Sequence, residues 1–147
     1  MENYFLVKAN YSKLIGNENK NVIETYLFDV ISYKEAEDKA IEKLKDNISG
    51  EFSISDIKKV SYNENISISD KKDEVESFWY ECKANVIAFD EINGNERKLT
   101  IKCLVEGFSI SDAIERFSKS LSSSGDNFRI TSIVETPILD IFNYDIK

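Results

Sequence analysis

The sequence predicts an α+β fold, a tandem duplication of a β-β-α-β unit. Three observations carry this. Segments recur at long spacing: Lys8-Ala9-Asn10 returns as Lys83-Ala84-Asn85, Gly16-Asn17 as Gly94-Asn95, and Phe52-x-Ile54-x-x-Ile57 as Phe128-x-Ile130-x-x-Ile133. Apolar residues alternate with polar ones on both sides of each Gly-Asn pair, the period of a half-buried strand. Between the second and third strand of each copy, Ala36, Ala40 and Leu44, then Ala113, Phe117 and Leu121, recur at helical spacing. A fixed internal repeat constrains architecture more than local propensity does.

The first strand places Phe5, Val7, Ala9 and Tyr11 inward and Lys8 and Asn10 outward, and the second runs over about residues 22–31. Ser32-x-x-Glu35 has the form of a capping box, and the stripe Ala36, Ala40, Leu44, Ile48 makes the following helix amphipathic. Gly50 ends the helix and a third strand covers about residues 51–60. A polar stretch with Asp70-Lys71-Lys72-Asp73-Glu74 reads as the linker.

In the second copy one strand face collects Tyr80, Cys82, Ala84, Val86, Ala88, Leu99, Ile101, Cys103 and Val105. The other collects Trp79, Glu81, Lys83, Asn85, Ile87, Phe89, Lys98, Thr100, Lys102, Leu104 and Glu106. Asn93-Gly94 has the composition of a two-residue hairpin turn. That turn sets Ala84 opposite Cys103 and Cys82 opposite Val105. The two cysteines are then diagonal neighbours at about 7–8 Å, farther apart than the roughly 5.5–6 Å a disulfide prefers, so two reduced, buried thiols are expected. Ser109-x-x-Asp112 opens the second helix, Ser122-Ser123-Ser124-Gly125 closes it, and the third strand covers about residues 127–136. Pro137 turns the chain into an apolar tail, Ile138 to Phe142, expected to dock on the core.

The expected organisation is a first repeat over 1–66, a linker over 67–77 and a second repeat with its tail over 78–147, together one compact unit. Right-handed crossovers and short connections favour strand order 2-1-3 within each repeat. Two repeats then give about six strands, antiparallel or mixed, in one continuous sheet or in two, with two helices packed on one face and a pseudo-twofold relation.

The chain has 147 residues, 41% hydrophobic and 31% charged, which suits a folded domain. Its net charge of −8 repels phosphate backbones unless a basic face is held locally. No stretch approaches the roughly 18 apolar residues of a membrane span. Met1-Glu2-Asn3-Tyr4 lacks a basic leader region, so a cytoplasmic protein with no membrane association is expected.

Histidine is absent, which removes the commonest general base and every Ser-His or Cys-His arrangement. No phosphate-binding glycine loop is present. The acidic run Asp90 to Glu96 loses calcium-loop alternation at Ile92, and two cysteines without histidine do not make a zinc site. The expectation is therefore no catalytic residue, no metal and no cofactor. The candidate binding face is the repeated Lys-Ala-Asn with the aromatic residues of the same parity: Tyr4, Lys8, Asn10, Trp79, Lys83 and Asn85. Cationic, amide and aromatic groups on an open sheet can grip a nucleotide, single-stranded nucleic acid or a protein edge.

The opening Asn3-Tyr4-Phe5-Leu6-Val7-Lys8, Gly50-Glu51-Phe52, Trp79-Tyr80-Glu81-Cys82-Lys83, and the ending Ser132 to Phe142 carry a resemblance over the whole chain. It resembles an uncharacterised family of about 150 residues from Bacteroidetes and their phages, including crAss-like phages. The resemblance implies a phage or mobile-element setting, hence a host-cell cytoplasm, and no activity. The leading expectation is a non-enzymatic accessory protein that binds a host or phage macromolecule, such as a host enzyme or defence system. The alternatives are a nucleotide or single-stranded nucleic-acid binder, and a structural or assembly component of a virion or replication complex, which would form homo-oligomers.

Overall fold

Ten elements alternate along the chain, and a computed structural model describes them over residues 2–69 and 75–143. They are mixed α and β, as expected, and the strands form two four-stranded sheets. Each sheet belongs to its own compact unit, one comprising Glu2–Ser61 with Pro137–Lys147, the other Tyr62–Thr136.

In the first unit, β1 (Glu2–Ile15) and β2 (Glu18–Asp29) form an antiparallel hairpin closed by Gly16-Asn17. Ile15 lies opposite Glu18, and Gly16 has φ 65°, the left-handed value such a two-residue loop demands. Helix α1 (Tyr33–Asn47) begins where the Ser32 hydroxyl accepts from the Glu35 amide at 3.1 Å. The Glu35 carboxylate returns one residue early, accepting from the Ile31 amide at 3.3 Å. Ala36, Ala40, Leu44 and Ile48 pack against Phe5, Val7, Ala9, Tyr26, Phe28 and Val30 in one buried cluster. Strand β3 (Phe52–Tyr62) lies beside β1.

The second unit carries β5 (Phe78–Asp90) and β6 (Asn95–Gly107), the helix α2 (Ile110–Ser122) and β7 (Asn127–Glu135) beside β5. At the start of α2 the Ser109 hydroxyl accepts from the Asp112 amide at 3.1 Å, and the Asp112 carboxylate accepts from the Phe108 amide at 2.9 Å. Tyr80, Cys82, Ala84, Cys103 and Val105 form the core with Ala113 and Phe117. Small residues set the helix close: a methyl group on Gly107 would lie 3.0 Å from the Ala113 amide nitrogen.

The fourth strand of each sheet was not anticipated. β4 (Glu64–Ile66) follows the first copy in sequence but pairs in parallel with β6. β8 (Ile138–Asn143) follows the second copy but pairs in parallel with β2. The sheet orders are β3-β1-β2-β8 and β4-β6-β5-β7, each with the expected 2-1-3 arrangement extended by a strand from the other half of the chain. The described residues therefore form eight strands where about six were expected. The unit boundaries fall at 61/62 and 136/137, and the stretch read as a linker over 67–77 lies within the span Tyr62–Thr136. Residues 70–74 of that linker lie outside the described residues.

The hairpin register also differs. Asp90 pairs with Asn95, so four residues make the loop instead of Asn93-Gly94 alone. The Asp90 carboxylate explains it by accepting from the Ile92 amide at 2.9 Å and the Asn93 side-chain amide at 3.1 Å. The shift of two residues puts Cys82 directly opposite Cys103. Both remain buried free thiols.

Candidate binding face

Strand β5 runs through the middle of its sheet, and the helix covers only its even-numbered face. The odd face is closed at one end and open at the other. At the closed end Trp79, Leu104 and Glu106 are buried. The Glu106 carboxylate there accepts from the Ser77 hydroxyl and from the Ile68 amide at 3.1 Å. Next comes Glu81, which receives the Tyr62 hydroxyl at 3.2 Å. Beyond it the rows open: Lys83 opposite Lys102, Asn85 opposite Thr100, Ile87 opposite Lys98, and Phe89 opposite Glu96. From the other side, β7 adds Ser132 beside Lys83, Arg129 beside Asn85 and Asn127 beside Ile87.

Directly paired residues project to the same side, so Lys83, Lys98, Lys102 and Arg129 share one face. Rows on one face follow each other at about 7 Å, and three strands span about 10 Å. Lys102 Nζ lies 4.9 Å from the centre of the buried Tyr62 ring. Among the described residues Lys83, Lys98 and Arg129 enter no ion pair. Phe89 stands 64% exposed at the open end.

This geometry redistributes the expected site. Lys83 and Asn85 lie on the open face and are half-buried. Lys8 and Asn10 occupy the matching rows of β1 in the first unit, also half-buried. Their cross-strand partners, Thr25 and Ile23, carry no charge. Tyr4 and Trp79 are buried, at 2% and 7% exposure, and offer no ring for stacking. The structure thus does not bring the six residues into one exposed platform. Lys98, Lys102, Arg129 and Phe89 were missed. The first two and Phe89 share the parity of Lys83, which is readable in the alternation. Arg129 needs the β5–β7 register, which a bulge between Lys83 and Ala84 shifts.

Other polar groups serve structure. Glu24 accepts from the Tyr11 and Tyr26 hydroxyls, each at 2.8 Å. Burial first, then the Glu24 carboxylate, raises the pKa of both phenols, so they stay protonated donors at neutral pH. Burial pushes the Cys82 thiol up to about 12 and Cys103 to about 11, with the facing thiol adding to the first and Glu64 to the second. Thiols so raised are poor nucleophiles. Among the described residues no three His, Cys, Asp or Glu side chains converge to hold a metal ion. None of the described helices is long and apolar enough to cross a membrane.

Residues 3–144 match a domain of unknown function, DUF4494. The chain belongs to that family. Comparison with curated proteins and with solved structures returns no match. For this DUF4494 chain the open rows of β5, β6 and β7 are the arrangement that most resembles a recognition surface. They combine four cations, amide and hydroxyl groups and an exposed ring on one sheet face.

Proposed function

We propose that the protein is a non-enzymatic, phage-type accessory protein of the host cytoplasm that binds a macromolecule. The odd face of the β7-β5-β6 sheet is the binding face. One observation carries the reading: a chain of net charge −8 concentrates four cations on a single open sheet face. Lys83 directly opposite Lys102 is an unfavourable rung by itself, since like charges across a strand pair repel. An anionic partner turns that repulsion into attraction for both cations. At physiological salt, screening over about 8 Å leaves such a partner sensing the local cations more than the remote carboxylates.

The phage setting rests on the sequence resemblance. The repeated motifs and the matching strand orders support descent of the two halves from one duplicated β-β-α-β unit. Duplication explains why Lys-Ala-Asn occurs twice while only the second copy has cationic neighbours on both flanking strands.

A photo-crosslinking amino acid at Thr100 tests the face in lysate of a phage-bearing host. Adducts should form at Thr100, be lost in the Lys83→Glu/Lys102→Glu background, and be absent when the probe sits at Glu37 on α1. Equal labelling from Thr100 and Glu37 would remove the face from the proposal.

A further inference from the structure

We infer that the macromolecule bound on this face is single-stranded nucleic acid, with phosphates on Lys83, Lys98, Lys102 and Arg129 and a base on Phe89. The inference rests on the binding reading above and names its partner. Charge selects a polyanion, and spacing and shape narrow the choice. The cationic rows repeat at about 7 Å along the strands, comparable to the span of one extended nucleotide. The face is broader than the two-stranded ribbon a major groove admits, whereas an unpaired strand can lie along it. Phe89 is the decisive group. A largely exposed ring beside the cations has a stacking partner in an unpaired base, whereas duplex bases are already stacked on each other. Asn85 and Thr100, in the row between the cations, supply donors and acceptors for base edges or sugar hydroxyls. Their own contact, at 3.4 Å, is long and easily exchanged for a ligand. The patch ends at Glu81 on one side and Glu96 on the other, which limits it to a few nucleotides.

The test is a titration of the full chain with a fluorescent oligothymidine, then oligouridine, of about twelve nucleotides. Affinity is measured across roughly 50 to 200 mM salt. Four phosphate contacts give a slope of log K against log salt near −3, because single strands lose about 0.7 per contact. Lys83→Gln/Lys102→Gln relieves a repulsion, so it folds, and it should flatten the slope by about 1.4. Phe89→Ala should weaken binding by roughly fivefold or more with the slope unchanged. Lys58→Gln, an exposed cation on β3, should change neither.

A slope that the double variant leaves intact overturns the site. A Phe89→Ala variant that binds as well as the parent overturns the stacked base. A parallel titration with poly-glutamate separates the two levels of the argument. Binding of poly-glutamate but not oligonucleotide, lost in the double variant, refutes nucleic acid and leaves the binding face standing. Failure of both ligands refutes the face as well.

Discussion

Phe142 tests the exchanged strand β8 most directly. Its ring packs 5.1 Å from the Phe28 ring and 5.6 Å from Tyr26, centre to centre, and Lys43 Nζ lies 5.1 Å above it. Phe142→Ala removes a half-buried ring from the first unit, although the residue stands at the end of the second copy in sequence. Fully burying a phenylalanine is worth about 1.5–3 kcal/mol, and each aromatic pair adds about 0.5–1.5 kcal/mol. Half-burial with two such pairs gives an expected loss of about 2–4.5 kcal/mol, or a roughly 30- to 2,000-fold rise in local opening. A chain with two units has no single well-defined unfolding midpoint, so the assay must be local. Native-state hydrogen exchange read by mass spectrometry supplies that. The largest acceleration should fall on Thr25–Asp29 and on α1, with less in β5 and β6. Acceleration centred on β5 and β6, or none, would show that the tail docks on its own copy and would refute the exchange.

Leu44, fully buried on the inner face of α1, should cost about 2–5 kcal/mol on truncation to alanine, seen as early loss of protection in α1 and β1. Ser109→Ala removes the cap of α2 and should cost about 1 kcal/mol in denaturant unfolding of that helix. The Phe108 amide, with Arg116 also bonded, lowers the Asp112 pKa despite partial burial. Its stabilising contribution is therefore present above the ordinary carboxylate pKa and lost as pH falls through the depressed one. The gap between parent and Asp112→Asn should be full at pH 7 and close in acid, as stability curves against pH would show. With thiol pKa values raised to about 12 and 11, Cys82 and Cys103 should resist iodoacetamide at pH 8 until the chain is unfolded, followed by mass. Tyr11, Tyr26, Tyr62 and Tyr80 have raised phenol pKa values, chiefly from burial. They should ionise last in an alkaline absorbance titration, and the stability they lend is complete below pH 10 and lost as pH rises above it.

Face assignment was the most legible part of the sequence. Every residue placed inward on β5 and β6 kept its side, although the register was wrong by two, because a shift of two preserves parity. The error came from trusting the Asn-Gly dipeptide over Asp90, whose carboxylate organises a longer loop. Strands β4 and β8 were illegible for another reason. Three residues, Glu64-Asn65-Ile66, show no period, and their order is set by a remote ladder on β6. Of the open face, the repeated motif points to Lys83 and Asn85 only. Tyr4 shares the parity of Lys8, and Trp79 that of Lys83, yet both are buried, because alternation records which face a residue occupies, not how far along the strand that face stays open.

The exchanged strands also impose an order on synthesis. β2 is finished by residue 29, yet the strand that pairs with Tyr26–Asp29 begins at Ile138. At about 5–20 residues per second on the ribosome, that edge waits roughly 5–20 s for its neighbour. The first unit, first to emerge, is thus the last to be completed, and its unpaired edge is where a nascent chain would seek a chaperone or another copy of itself.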